Sequence, residues 1–273
     1  MCIVLRISRS AYYKWLKRIK EVKEPDNLDE QIKVSFEKSR QTYGSPRVAI
    51  DLAKQGITVS ESTVARRMRT LRISPKRRKR FIPTTDSNHQ QAIAPNHLNR
   101  EFSAEKLAQK WVSDLTYFKI GKSWHYLTVI IDLADRAVVA WTISDNMTAE
   151  DTIIKAFKNA LNKRKPLKGM LFHSDRGIQY ASKSFKDLLS EQNCIQSMSR
   201  KGNCWDNAVA ESFFKTIKTE CIHRQVFTSL QQAYSILFDY IEGWFNTCRI
   251  HTSIQGKAPD QMNYILNNSK HAA

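Results

Sequence analysis

A chain of 273 residues is long enough for one sizeable core and a smaller module, and no uncharged apolar run in it is long enough to span a bilayer. Its 44 Lys and Arg against 26 acidic residues give a formal charge of +18, which favours a polyanionic partner, nucleic acid first, through phosphate neutralisation and counterion release. Cys2, Cys194, Cys204, Cys221 and Cys248 form no CxxC pair and leave one over, which argues against a disulfide framework or a zinc finger and fits a reducing cytoplasm.

The first segment, Met1 to Lys20, carries repeated Lys and Arg in place of a signal-peptide apolar core. Ser10 reads as the N-cap of a short helix bearing Ala11, Tyr12, Tyr13, Trp15 and Leu16, and its abrupt beginning suggests a preceding module encoded elsewhere. A second helix is predicted from Leu28 to Arg40. Ser45 and Pro46 then supply an N-cap and a first-turn proline ahead of Val48, Ala49, Leu52 and Ala53, with Gly56 ending that helix. Ser60 caps a further helix with an apolar stripe at Val64, Met68 and Leu71. Helix, short turn with Gly, helix is the helix-turn-helix pattern.

That last helix carries Arg66, Arg67, Arg69 and Arg72 and runs into Lys76, Arg77, Arg78, Lys79 and Arg80 with no acidic residue between. A solvated face on an ordinary helical hairpin is the plainer reading, but a basic arm directly after a candidate recognition helix favours DNA. The charge is uneven along the chain: residues 1–100 hold 22 basic and 9 acidic residues, the remainder 22 and 17. From Ile82 to Arg100, Pro83, Thr84, Thr85, Asn88, Pro95 and Asn96 interrupt any periodicity and read as an exposed linker. The expected organisation is a helical DNA-binding region over 1–80, a linker over 81–104 and a catalytic core with C-terminal helices over 105–273.

Beyond the linker the pattern changes to strands at Trp111–Ile120, Trp124–Leu133 and Val138–Ile143, with turns at Gly121-Lys122 and Asp135-Arg136, which implies an antiparallel meander. Thr148 with Asp151 opens a helix to about Lys163. A short strand follows at Met170–His173, then a helix at Ser182–Glu191, a strand at Cys194–Ser197 and a long helix from Asp206 to Cys221. The fold class expected from this order is α/β: a ribonuclease H-like mixed five-stranded sheet flanked by helices, preceded by a small all-α helix-turn-helix domain.

Phosphodiester cleavage by two metal ions needs carboxylates converging from separate elements, because hard magnesium prefers oxygen ligands and in-line attack needs both attacking and leaving oxygens stabilised. Three acids stand out by position: Asp114 in the first strand, Asp175 just after the fourth, and Glu211 in the last long helix. Each alone is bland, as a cap, a turn residue or an i,i+4 partner of Lys215. Their combination is not, since a carboxylate buried in an apolar strand is costly unless it meets a cation. On the last helix Glu211, Lys215 and Lys218 share one face, opposite a core stripe of Ala210, Phe214, Ile217 and Cys221.

The run Trp111-Val112-Ser113-Asp114-Leu115-Thr116-Tyr117, the run from His173 to Tyr180, Ser197 to Asn203, Trp205-Asp206-Asn207-Ala208 through Glu211 to Lys215, and Phe245 to His251 together resemble the DDE transposases of bacterial insertion sequences, in particular the OrfB type. The resemblance covers nearly the whole chain, including the basic helix-turn-helix and the opening Ser8 to Tyr13. It implies an enzyme that cleaves and joins element-end DNA, with Asp114, Asp175 and Glu211 as catalytic residues binding two divalent ions, Mg2+ or Mn2+. Asp114 and Asp175 would share one ion, and Asp114 and Glu211 the other. Lys218 would contact DNA near the reaction, with Lys215 beside it. An OrfA partner or fusion, homo-oligomers in the active complex and a cytoplasmic, nucleoid-associated location are implied in the same way. No heptad segment of the kind OrfA supplies is present. The rivals are a non-catalytic DNA-binding repressor derived from a transposase, and a nuclease of the same fold.

The remaining polar and aromatic residues near these motifs have plainer roles. Asp132 and Asp135 border a strand turn and read as turn residues rather than ligands. His173 reads as a satisfied structural histidine, Trp111, Trp124, Trp141 and Trp244 as core, and Trp205 as a cover over the loop before the last helix.

Overall fold

The computed structural model describes residues 8–20, 27–75 and 91–268. They belong to two compact units, Met1–Pro75 and Lys76–Ala273. Lys76, Arg77, Arg78, Lys79 and Arg80, the expected basic arm, lie outside the described residues, as do 81–90.

The first unit holds four helices: α1 (Arg9–Lys20), α2 (Asn27–Lys38), α3 (Ser45–Lys54) and α4 (Glu61–Thr70). The cap of α1 is Ser8, not Ser10: the Ser8 Oγ accepts from the Ala11 N–H at 3.1 Å. Ser45 is likewise not a cap. It is the first helical residue after Gly44, and Pro46 occupies the first turn, where its missing N–H has no intrahelical role. Ile32, Phe36, Val48, Leu52, Val64 and Met68 are buried together and weld α2, α3 and α4, while Leu71 is only half-buried. Gly56, at φ +82°, makes the left-handed turn that ends α3. Ser60 caps α4 as expected, accepting from the Thr63 N–H at 3.2 Å.

The second unit is built on a five-stranded sheet in the order β3-β2-β1-β4-β5. The strands are β1 (Lys110–Ile120), β2 (Ser123–Asp132), β3 (Val138–Ser144), β4 (Leu171–Ser174) and β5 (Ile195–Met198). β1, β2 and β3 form the antiparallel meander, and β4 and β5 add in parallel on the far side of β1. This is the ribonuclease H-like arrangement. Its helices include α5 (Lys155–Lys163), α6 (Ile178–Ala181), α7 (Lys183–Glu191) and α8 (Ala208–Glu220). The helix expected from Thr148 opens with a π-helical turn, Glu150–Ile154, before α5, and the helix expected from Asp206 opens with a 3-10 turn, Cys204–Asn207, before α8. Trp111, Phe157, Phe172 and Phe185 pack edge-to-face at the centre of one core face. After α8 come α9 (Leu230–Phe238), a π-helical stretch (Asp239–Asn246) and α10 (Pro259–Asn268).

Part of the segment read as an exposed linker is docked. The Ser197 Oγ accepts from the His97 and Leu98 N–H groups, Leu98 is buried, and Asn96 and Arg100 both bond Asp206.

Candidate active site

β4 pairs with β1 only at Lys110, Trp111 and Val112; beyond Val112 the two parallel strands part. Ligand sites in sheets with parallel strands form at such carboxyl ends, where backbone groups leave the ladder and side chains from two strands face one gap. Asp114 is two residues past the last pair on β1, and Asp175 is the residue immediately after β4. The Asp175 Oδ1 accepts from the Gly177 N–H at 2.9 Å. A Cβ on Gly177 would stand 3.1 Å from that oxygen and 3.0 Å from the Gln179 Oε1, so glycine lets this turn close. Glu211 lies in the first turn of α8, half-exposed, with the Lys215 Nζ 3.5 Å from its carboxylate.

Both other acids act electrostatically on Asp114. Burial first, then the charge of Asp175, with a smaller contribution from Glu211, holds the Asp114 carboxyl well above the usual range, against the Leu115 N–H bond and Lys218. Burial and the charges of Asp114 and Asp175 also push up the Tyr180 phenol. Among the described residues no three His, Cys, Asp or Glu side chains close into a ready-made metal cage. The three acids therefore share a field without forming a closed cluster.

Folded Asp114 holds its proton more tightly than unfolded Asp114, so stability falls as pH rises from the ordinary carboxylate pKa of about 4 through the raised folded value. Asp114→Asn removes this titration. In metal-free buffer the variant should unfold at higher denaturant than the native protein above that window, and its pH dependence should be flatter. Denaturation midpoints from about pH 4 to about pH 8 in EDTA check this; an unchanged pH slope would show that folding does not raise the Asp114 titration.

A hub on Ser113 fixes the three segments relative to one another. The Ser113 Oγ donates to the Val129 carbonyl at 2.8 Å, so the Tyr180 hydroxyl, 2.9 Å away, is the donor to Ser113. The Asn207 Nδ2 donates to the Ser113 carbonyl at 3.1 Å. Ser113 thus ties the residue before Asp114 to the helix after Asp175 and to the residue preceding α8. His173 is a structural residue, with Nδ1 2.8 Å from the Ser197 Oγ and Nε2 3.2 Å from the Ser199 Oγ. Burial pushes His173 down to about 4, so it is neutral near pH 7. Asp206, fully buried, accepts from Arg200, Arg100 and Asn96; hydrogen bonding from Arg200 above all holds it below the usual carboxylate range. That network anchors the turn on which Trp205 stands 69% exposed.

The sequence matches the integrase core domain family over residues 104–204 and a second integrase core domain family over 192–259, with an HTH-like domain over 23–81. It is 37% identical over 265 residues to Transposase InsF for insertion sequence IS3A of Escherichia coli strain K12, covering 96% of this chain and 92% of that protein. The chain belongs to the insertion-sequence transposases. With its integrase core, the transposase is a polynucleotidyl transferase. It is also 38% identical over 263 residues to the 31 kDa protein of insertion element IS600 from Shigella sonnei, covering 95% of this chain and 96% of that one. A structure of the HTLV-2 integrase catalytic core domain in complex with magnesium is 18% identical, with a TM-score of 0.45 over 57% of this chain and 97% of that one.

Within this transposase the remaining expected residues divide. Lys218 is buried rather than on an open polar face, with its Nζ 5.1 Å from the centre of the Tyr117 ring; burial lowers its pKa and Asp114 opposes that shift. Lys215 is exposed. On α4, Arg66 and Arg69 are exposed, and Arg72, expected on the same helix, is exposed in the turn just past its end at φ +54°, whereas Arg67 is half-buried and bonds Asp29 at 3.1 Å inside the helical unit. Asp132 and Asp135 are structural: both are fully buried and held by Arg164 at 2.7 and 2.8 Å. Trp111, Trp141 and Trp244 are core, but Trp124 is 50% exposed. Ser113, Tyr180 and Asn207 do not stand out in the sequence as positioning residues. The only local signal is the polar character of Ser113 and Asn207 beside the acids.

Proposed function

We propose that Asp114, Asp175 and Glu211 are the catalytic carboxylates of this transposase and hold two divalent ions, Mg2+ or Mn2+. The observation that carries this reading is the parting of β1 and β4 beside Asp114 and Asp175, where burial first and then the neighbouring carboxylates raise the Asp114 pKa. Such a site fits hard cations, because its donors are carboxylate oxygens and a cation would relieve the repulsion among them. When bound, the ions stabilise the charge on the attacking and leaving oxygens of the phosphate. The chain's own part is to set geometry. The Ser113 hub holds the strand and helix segments in register, the Gly177 turn aims Asp175, and Lys218 places a positive charge next to Asp114. In-line attack by water at the element end breaks the bond to a 3′ oxygen, and that freed 3′-hydroxyl then displaces a target-strand phosphate linkage, without a covalent enzyme intermediate.

DNA is held by a separate set of residues. Arg66 and Arg69 on α4 and Arg72 just past its end would meet phosphates, continued by Lys76, Arg77, Arg78, Lys79 and Arg80, with Lys215 and Lys218 acting near the reacting strand. In this reading residues 1–80 bind DNA, 81–104 link, and 105–273 carry catalysis. An OrfA partner or fusion and homo-oligomers complete the active complex, in a soluble protein associated with the nucleoid. No described helix is long and apolar enough to cross a membrane.

Labelled element-end DNA incubated with the protein, with and without Mg2+ or Mn2+, tests the chemistry. Metal-dependent nicking and joining are expected; nicking without joining would mark a nuclease, and neither would mark a binding protein. For the basic helix, the log-log salt slope of duplex binding should drop by about 0.9 for each phosphate contact removed when Arg66, Arg69 and Arg72 become Gln. An unchanged slope would remove α4 from the interface.

A further inference from the structure

We infer that the turn carrying Trp205, with Arg100 and Arg200 bonded to it, is a seat for an unpaired nucleotide at the reacting DNA end, an inference that rests on the assignment of the three acids above. One buried carboxylate organises the turn. Asp206 accepts from the Arg200 N–H, Nε and Nη2 at 3.0, 2.8 and 2.7 Å, and from the Arg100 Nε and the Asn96 Nδ2 at 2.9 Å each. The Arg100 Nη2 also donates to the Asn203 Oδ1 at 2.9 Å. Asn203 and Asp206 are thus fixed on both sides of Trp205 in the chain, while the indole itself is left in water.

Folding asks for less than this. A single bidentate arginine satisfies a buried carboxylate, so the second guanidinium brings a positive charge that Asp206 does not neutralise. Both arginine side chains stay close to half in water, at 45% exposure for Arg100 and 49% for Arg200. Among the described residues the Nη1 of neither has a hydrogen-bond partner, which leaves two held guanidiniums with donors to spare. Asp206 is the one acidic residue between Glu191 and Glu211, a stretch to which Arg200 and Lys201 add positive charge, and Glu101 beside Arg100 is taken up by Lys110 at 3.4 Å. An exposed indole next to surplus positive charge is a site for an aromatic anion.

Hydrogen bonds tie the turn to the segments that carry the acids. Asn207, within about 7 Å of Trp205 along the chain, donates from Nδ2 to the carbonyl of Ser113, the residue before Asp114, at 3.1 Å. Arg176, next to Asp175, donates from Nε to the Ser199 carbonyl at 2.7 Å, and the Ser199 N–H donates to the Ser174 carbonyl at 2.9 Å. Glu211 follows in the first turn of α8. The occupant is then selected by its chemistry. Bases inside a duplex are stacked on their neighbours and offer no free face to an indole, whereas a nucleotide out of the stack does, and its phosphate suits the guanidiniums. At a reacting end that nucleotide is the terminal one, once its pair has opened.

The test uses the full chain and two element-end DNAs, one with a mismatched terminal pair and one with the terminal base of the reacting strand removed, with binding measured in EDTA to separate it from catalysis. Trp205→Ala should weaken the mismatched DNA by about five- to 150-fold, the range for loss of one stacked base, and Trp205→Phe should retain most of the affinity. Removing the base should cost the native protein as much, and the two losses should not add, because they delete the same contact. Arg100→Gln, which leaves Arg200 and Asn96 on Asp206, should lower the salt slope by about 0.7 to 0.9. Equal weakening of both DNAs by Trp205→Ala, or of neither, overturns the seat, and an unchanged slope removes the phosphate from it. If Asp114→Asn abolishes cleavage while Trp205→Ala changes no affinity, the seat alone is wrong. If Asp114→Asn still cleaves, the site on which the seat rests is wrong as well.

Discussion

Glu211→Gln is expected to abolish end cleavage and strand joining together while leaving the fold and duplex binding intact. Glutamine keeps the size of the side chain and removes the negative charge that a divalent ion requires. Loss of several kcal/mol of transition-state stabilisation corresponds to a rate fall of about 10³ or more. Little structural damage should accompany it. Glu211 is half-exposed and pairs with the exposed Lys215 at 3.5 Å. Surface pairs of this kind contribute about 0 to 1 kcal/mol, so the melting temperature should shift by no more than a few degrees. Both chemical steps should be lost in parallel, because the reading gives them the same carboxylates. A variant that still cleaved element ends at near native rates in Mg2+, as a full-length OrfA–OrfB fusion, would falsify the role of Glu211. Cleavage retained with joining lost would break the assumption of one shared site.

How much of this is legible in the sequence depends on the range of the interaction. The strands show because Val, Ile, Tyr and Trp cluster between glycine or Asp-Arg turns, and their limits differ from the expected ones by only a residue or so. The acids show because a strand, a strand end and a helix start are positions that a sheet with parallel strands brings together. Trp124 misleads because aromatic content is not burial: pairing with Lys119 assigns it to the outer face, opposite that of Phe118 and Ile120. Ser8 and Ser10 are hard to tell apart because several serines near a helix start satisfy the same capping rule. The run from Ile82 to Arg100 reads as linker because Pro and Asn interrupt its periodicity, yet Asn96 and Arg100 dock on Asp206, 110 and 106 residues away. The hub on Ser113 is out of reach for the same reason, since Tyr180 and Asn207 are 67 and 94 residues from it. The helices after α8 blur where the π-helical stretch Asp239–Asn246 leaves the 3.6-residue period.

Arg249→Met is expected to destabilise the catalytic unit by about 3 to 5 kcal/mol, because it strands a buried charge. Glu220, the last residue of α8, accepts from the Arg249 Nε and terminal NH2 at 2.9 and 2.7 Å and from the Tyr240 hydroxyl at 2.7 Å. Both side chains of the ion pair are buried, at 3% and 8% exposure, so water cannot replace the lost partner cheaply. Arg249 also lies over the Phe245 ring at 5.5 Å, a packing contact that methionine largely preserves. The loss should therefore come from the uncompensated Glu220 carboxylate rather than from a cavity. For a unit of this size it corresponds to a melting temperature lower by roughly 6 to 20 °C. Adding Glu220→Gln, which removes the charge and keeps an acceptor for Tyr240, should recover much of the difference. Additive losses in the double variant, measured by thermal unfolding, would mean that Arg249 acts by packing alone. Because the pair clamps the far end of the helix whose first turn carries Glu211, the Arg249 variant should lose cleavage in step with unfolding as temperature rises. The Glu211 variant, in contrast, should be inactive even at temperatures where it is fully folded.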